Sequence, residues 1–376
     1  MSTDSTTAPY IVIGAGIAGA STAYYLAKNG CSVVVVDRKE AGQATDAAAG
    51  ILCPWLSQRR NKAWYHLAKE GVKFYPQLID DLAEDGQIDT GYAKVGAIRL
   101  HRDMAKLKAM KERAIKRREN APEIGEITML DEEQTKALFP LLADGFGSVH
   151  VSGAARVDGR KLRESLIRAA KSLGAIFLEG NAQLLFNGNS IYGVTVNGKE
   201  IHAVKVIAAA GAWMGELFKP LGVDFHVQPQ RAQIMHIQMQ NVKTDLWPLV
   251  MPPNNQYMLA FDNGRVIIGS THEDEAGYDY RVTAGGMHEI LTKALETAPG
   301  IASATVVETR VGFRPVAPGF LPIIGELPGW EGLVLINGLG ASGLTMGPYI
   351  GSQVARLSQG KQIDLNLNNY DVAKAL

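Results

Sequence analysis

Apolar positions in this chain fall into short runs separated by glycines and polar turns, and the spacing within each run predicts an element. Ile11, Val12 and Ile13 form an unbroken apolar run rich in β-branched residues, as a strand buried on both faces requires. Residues 32–36 read the same way and end at Asp37, and 175–178, 205–209 and Leu333–Asn337 repeat the pattern. A second set of strands is predicted at 92–100, 183–186, 191–196, 227–239, 257–261, 265–269 and 306–314. Asn197-Gly198 and the Asp262 to Gly264 turn give hairpins within that set, so antiparallel sheet is expected. Helical spacing marks Ile17–Lys28, 62–82, 157–173, 287–295 and 348–358. Segment 102–118 carries eight basic residues with Asp103 and Glu112 among them and reads as a solvated helix. Asp131 with Gln134 resembles a capping box opening a short helix before Pro140.

Chemistry enters with the turns. Gly14, Gly16 and Gly19 follow the first strand and open the first helix in the pattern G-x-G-x-x-G. The first glycine permits a tight turn, the second lets backbone approach a pyrophosphate, and the third lets the helix pack close to the sheet. The helix N-terminus then presents N–H groups and the positive end of its dipole to phosphates. Asp37 lies 18 residues after Gly19, where an acceptor for ribose hydroxyls belongs. Together these specify a dinucleotide site without separating NAD from FAD. Small residues dominate 42–50, as expected of backbone lying along a flat or phosphorylated ligand; Thr45 offers a hydroxyl there, and Ala49, Gly50 and Ile51 a surface for a ring. Two further glycine-rich turns, 210–213 and 338–347, also end strands. An NAD dehydrogenase needs only the first; three point to a ligand threaded through a discontinuous domain.

Composition narrows the picture. A chain of 376 residues accommodates two domains. The formal net charge of +0 argues against a nucleic-acid footprint. Cys31 and Cys53 supply neither a disulfide framework nor a metal-ligand cluster and read as small buried residues, so no metal is expected. Segment 1–9 is polar, lacks the features of a signal peptide and is expected to be a disordered tail. The apolar runs are strand-length, so no transmembrane segment is expected and the cytoplasm is the simplest location.

Residues 12–19, Asp37, 47–50, 206–213, 312–316 and 338–343 jointly resemble the D-amino acid oxidase family of FAD-dependent oxidoreductases, over nearly the whole chain. The layout is most similar to its bacterial glycine oxidases and D-amino acid dehydrogenases. The resemblance implies an α/β fold (α+β overall). A discontinuous Rossmann-like FAD-binding domain would span 9–50, 141–215 and 306–376. A substrate-binding domain over 51–140 and 216–305 would roof the flavin with an antiparallel sheet.

By position, the resemblance places Gly14, Gly16, Ile17, Ala18, Gly19, Asp37, Arg38, Ala44, Thr45, Ala49, Gly50, Ile51 and Gly211 against FAD, and Gln183 against its adenine. Leu339, Gly340, Ala341, Ser342, Gly343, Leu344 and Thr345 fall beside the isoalloxazine, where N–H groups opening the last helix would stabilise charge arriving on reduction. Arg314 matches the arginine that holds the substrate carboxylate, and Tyr257 lies where relatives place a tyrosine near it. His66, His236 and His272 read as ordinary. No general base is assigned, since positioning and electrostatics suffice. The last cysteine is Cys53, which excludes attachment of FAD through a cysteine of the C-terminal half, so non-covalent FAD is expected.

The implied reaction is oxidation of a small amino acid, of the D-amino acid, glycine or sarcosine type, to the imine by hydride transfer to flavin N5. O₂ or a quinone would be the electron acceptor, and a homo-oligomer is among the expected states. Two alternatives stay open: an FAD-dependent 2-hydroxy acid dehydrogenase, for which Arg314 would serve equally, and a non-catalytic dinucleotide-binding protein.

Overall fold

A six-stranded sheet forms the centre of the computed structural model, which describes residues 8–376; most of the expected tail 1–9 lies outside the described residues. Its order is Ile323–Glu326, Leu333–Asn337, Lys205–Ala208, Tyr10–Ile13, Val33–Asp37, Ile176–Glu179. All neighbours run parallel except the first pair. The unbroken apolar runs follow from burial on both faces. Val12, Val35, Ile207 and Ile336 pack in one core with residues of the helices Ile17–Lys28, Gly159–Ser172 and Gly343–Ser358. Ile11, Val34, Val206 and Leu335 pack in another, with an antiparallel sheet of Ala182–Asn187, Ser190–Val196 and Lys199–His202.

The last helix corrects the sequence reading, which starts it at 348. It begins at Gly343, with Pro348 inside it. Gly347, which reads as loop, and Gly351, inside the expected helix, are both contact positions. A Cβ on Gly351 would stand 2.8 Å from the Ala18 carbonyl oxygen, and one on Gly347 would stand 3.0 Å from Ile17 Cγ2. Close packing on the first helix thus overrides poor helix propensity. The Pro348 carbonyl accepts from Ser21 Oγ at 2.8 Å, tying the pair.

An eight-stranded sheet lies beyond, in the order Thr305–Val316, Gln228–Gln238, Arg265–Gly269, Tyr257–Ala260, Leu249–Met251, Ala97–His101, Gly147–Val151, Ile127–Leu130. It is antiparallel except where Leu249–Met251 pairs with Ala97–His101 in parallel. Two of its strands, Gly147–Val151 and Thr305–Val316, are joined to it by backbone hydrogen bonds although they lie in or next to the segments 141–215 and 306–376. The strand expected at 92–100 breaks at Gly96, φ 74°, into Ala93–Lys94 and Ala97–His101. One face of the sheet packs on helix Ala284–Thr297 through Ile98, Met235, Met258 and Ile268. The other contributes Ile234, Leu249, Leu259 and Ile267 to the main core. The basic helix forms over Met104–Arg118 and buries only Leu107, Met110 and Ala114. Among the described residues no helix is long and apolar enough to cross a membrane.

His236 bears on stability. It is buried, its Nε2 has no partner, and Arg310 lies close to it. Burial, reinforced by that guanidinium, lowers its pKa from the usual histidine value to about 4. A depressed folded pKa means the unfolded chain binds the proton first. The neutral residue's contribution is therefore intact above pH ~6.5 and is lost as pH falls toward ~4, by up to about 3 kcal/mol. Denaturant midpoints of the wild type should fall over that window more steeply than those of His236→Gln.

Candidate active site

Where the strands Tyr10–Ile13, Val33–Asp37, Lys205–Ala208 and Leu333–Asn337 end, the chain encloses a cavity of about 430 Å³ that reaches to the second sheet. The glycine turn forms one wall. Gly14 has φ 98°, and a Cβ there would lie 2.4 Å from the Ala209 carbonyl oxygen. A Cβ on Gly19 would lie 1.9 Å from the Gly14 carbonyl oxygen, so Gly19 seats the helix on the turn and does not line the cavity. Gly16 faces the cavity, with only Thr45 Oγ1, at 3.6 Å, near the position of its missing Cβ.

Two helices open onto this cavity, at Gly16-Ile17-Ala18 and at Gly343-Leu344-Thr345. Neither has an acidic residue in its first turn or a side-chain cap from the residue before it. Free N–H groups and two positive dipole ends therefore converge on one space, as a pyrophosphate and an electron-accepting ring require. The Ile17 N–H is held by Thr45 Oγ1 at 3.0 Å, which locks segment 42–51 to the turn. The Thr345 hydroxyl donates to the Ile51 carbonyl at 3.0 Å, and the Tyr75 hydroxyl to the Leu344 carbonyl at 2.5 Å, fixing the second helix start.

Asp37 lines the same cavity. Its carboxylate accepts from the Ala15 N–H at 2.5 Å, the Lys39 N–H at 2.6 Å and Gln43 Nε2 at 2.9 Å. Gln43 in turn accepts from Arg163 Nη1 at 3.0 Å. Arg38 lines the cavity with its guanidinium held by Glu40 and Glu216, at 3.0 and 2.9 Å. Ala44, Thr45, Ala49, Gly50, Ile51, Gln183, Gly211, Leu339, Gly340, Ala341, Gly343, Leu344 and Thr345 line the same space. Ser342 does not: its side chain is buried behind the loop, accepting from Trp64 Nε1 at 3.1 Å.

Sequence reasoning missed Gln43, Trp213, Phe313 and Asn337, which also line the cavity. Trp213 is stacked on Tyr278, with centroids 5.7 Å apart, and edge-on to Phe313. Asn337 donates to the Gly211 carbonyl at 2.8 Å and accepts from the Gly338 N–H at 2.7 Å, joining two of the three glycine-rich turns.

Arg314 and Tyr257 meet at the wall formed by the second sheet. The Arg314 guanidinium donates from Nη1 to Gln230 Oε1 at 3.0 Å and the Thr271 carbonyl at 3.3 Å, and from Nη2 to Ser270 Oγ at 2.7 Å. Burial lowers its pKa from the usual arginine value, but a guanidinium keeps its charge. No carboxylate pairs with it among the described residues. The nearby Asp274 is spent on Gln230 Nε2, at 2.7 Å. Three hydrogen bonds engage its two Nη atoms, leaving two of its five N–H groups, Nε–H among them, for a carboxylate. Burial raises the Tyr257 phenol above its ordinary pKa, and the Arg314 charge partly opposes this.

A largely parallel sheet, a glycine turn feeding one helix, and a second helix start closing the same cavity are the features of a dinucleotide-binding protein. Residues 9–357 match the family model described as FAD dependent oxidoreductase (DAO), and the chain belongs to that family. It is 60% identical over 368 residues to an uncharacterized oxidoreductase, YurR, of Bacillus subtilis (strain 168), covering 98% of this chain and 99% of that one. It is 31% identical to a glycine oxidase of Pseudomonas aeruginosa, covering 94% and 95% of the two chains. The crystal structure of an iminodiacetate oxidase from Chelativorans sp. BNC1 superposes with a TM-score of 0.94 at 42% identity, covering 96% of this chain and 98% of that one. The protein is thus an FAD-dependent oxidoreductase, and the cradle described above suits that cofactor.

FAD is expected to be held without a covalent bond. Cys31 and Cys53 lie outside the cavity lining, and burial pushes the Cys53 thiol up to about 12, far from a reactive thiolate. Acid precipitation should leave the yellow colour in the supernatant; a yellow pellet would refute the expectation.

Proposed function

We propose that this protein oxidises a small amine bearing a carboxylate, either a glycine-type amino acid or an N-carboxymethyl secondary amine, to the imine, which water then hydrolyses. The observation that carries the reading is Arg314, a cation in the cavity wall with two N–H groups unused and, among the described residues, no carboxylate paired with it. Burying such a charge is costly unless an anion meets it. The names of two similar proteins, glycine oxidase and iminodiacetate oxidase, support the same substrate class.

Bound FAD supplies the two-electron acceptor. The chain's own part is binding and orientation. Arg314 fixes the carboxylate through a two-point contact, which sets the direction of the α-carbon. Tyr257, kept neutral by burial, offers a hydroxyl beside it. The acids that line the cavity, Asp37, Glu40 and Glu216, belong to the Asp37–Arg38 rim and are engaged there. We therefore assign no side chain as general base; the amine proton leaves to water. N–H groups at the start of the Gly343–Ser358 helix stabilise the negative charge that arrives with the electrons.

The test is anaerobic bleaching of the flavin absorbance by glycine, sarcosine, iminodiacetate, D- and L-alanine and glycolate. Bleaching by at least one carboxylate amine and none by glycolate is expected. Bleaching by glycolate alone would replace the reading with 2-hydroxy acid oxidation.

A further inference from the structure

A second cavity, of about 350 Å³, lies on the far side of Trp64, between residues 58–62 and the basic helix Met104–Arg118. Arg59, Arg60, Lys62, Arg113 and Arg117 line it, together with Tyr65. Among the described residues none of these five cations forms an ion pair. Other cations on the Lys62–Glu84 helix do: Lys69 and Lys73 share Glu70. Like charges gathered around a concavity raise each other's energy, and an anion in their midst removes that cost.

Two of the cations, Arg117 and Arg59, are also held in place. Arg117 Nη1 donates to the carbonyls of Trp55 and Ser57, at 2.5 and 2.7 Å, and its guanidinium lies 4.6 Å from the Tyr65 ring centroid. The Arg59 guanidinium lies 4.8 Å from the Trp64 ring centroid. Tyr65 keeps a buried hydroxyl with no hydrogen-bond partner, a donor without an acceptor in the wall of a basic cavity. Glu123 is near enough to influence that hydroxyl but makes no ion pair with the five cations.

We propose that this cavity is a binding site for a small anion carrying two or more negative charges, of carboxylate or phosphate chemistry, distinct from the site at Arg314. Planar guanidiniums suit both kinds of oxyanion, and the Tyr65 hydroxyl completes the donor set. Occupancy would be felt at the active site. Arg59 rests on Trp64, and Trp64 Nε1 holds Ser342 Oγ in the loop that carries Gly340, Ala341 and Gly343 to the main cavity.

The experiment is calorimetric titration of the FAD-loaded protein with pyrophosphate and with citrate, at ionic strength fixed by sodium chloride. Saturable one-site binding with a Kd below about 1 mM is expected for at least one probe. The probe that binds more tightly separates phosphate from carboxylate chemistry, and either preference supports the site. The double variant Arg59→Ala/Arg113→Ala should bind at least about tenfold more weakly, since each removed guanidinium takes charge-assisted hydrogen bonds with it. Tyr65→Phe, which keeps the ring under Arg117, should weaken binding severalfold. Arg314→Leu should leave it unchanged. Equal affinity in the double variant and the wild type, loss of binding on Arg314→Leu, or binding of anionic phosphatidylglycerol vesicles but of neither small anion would overturn the proposal.

Discussion

Arg314→Leu is expected to lower kcat/KM for a carboxylate-bearing amine by roughly 30- to 5,000-fold while FAD stays bound. Removing one partner of a buried charged pair costs about 2–5 kcal/mol, much of it from the stranded carboxylate, and that range converts to the stated factor if the whole loss reaches the transition state. Leucine keeps the apolar stem. It also releases Gln230 Oε1, the Thr271 carbonyl and Ser270 Oγ; Ser270 and Thr271 are fully buried, so some stability is lost with these contacts. Circular dichroism and retained flavin check that the fold persists. An amine without a carboxylate never used the guanidinium and should lose far less. The measurement is kcat/KM for an amino acid and for its decarboxylated analogue, in both proteins. Equal losses on both substrates would make Arg314 a structural residue and remove the main reason for calling the substrate an amino acid.

Asp37→Ala should weaken FAD binding by roughly 10- to 150-fold, the equivalent of about 1.5–3 kcal/mol for one charge-assisted hydrogen bond. The carboxylate accepts three internal hydrogen bonds, from Ala15, Lys39 and Gln43. With about four lone-pair positions available, it retains one for a ribose hydroxyl. The substitution thus acts twice: it removes that acceptor, and it leaves the Ala15 N–H inside the glycine turn without a partner. Asp37→Asn keeps one acceptor oxygen and should fall between. Titrating the apoproteins with FAD and following flavin fluorescence gives the three affinities, while circular dichroism checks that the fold is retained. Unchanged affinity in Asp37→Ala would mean that the turn is held by other means.

Local signals made much of this legible in the sequence. A strand buried on both faces needs an unbroken apolar run, and a glycine at φ 98° is hard to replace, so Ile11–Ile13, Gly14 and Asp37 stood out in one dimension. What failed was long-range. Whether a glycine belongs to a loop or to a helix–helix contact depends on what lies opposite, and the partners of Gly347 and Gly351 are Ile17, Ala18 and Ser21, more than three hundred residues away. Ser342 and Gly19 were expected to touch FAD on motif position, but their neighbours are Trp64 and Gly14. Trp213 and Gln43 lie in segments that stand out, 206–213 and 42–50, but their own place in the cavity is set by Tyr278, Phe313 and Arg163, each on another segment. The sheet membership of Gly147–Val151 and Thr305–Val316 is likewise a matter of pairing, which composition does not encode.

The packing of the last helix on the first also bears on how the protein is made. One helix start of the cofactor cradle lies at Ile17, yet the other, at Gly343, and the interior strand Leu333–Asn337 come about three hundred residues later. Contacts of such sequence separation form slowly, and the parts waiting for them expose apolar surface. A chain in which Leu333–Asn337 and Gly343–Ser358 have not yet docked therefore holds an open sheet edge at Lys205–Ala208 and an unpartnered face on Ile17–Lys28. Both helix starts face the cofactor cavity only once that segment has docked, so a chain cut before Leu333 should be colourless and exposed to chaperones and proteases instead of a weaker enzyme.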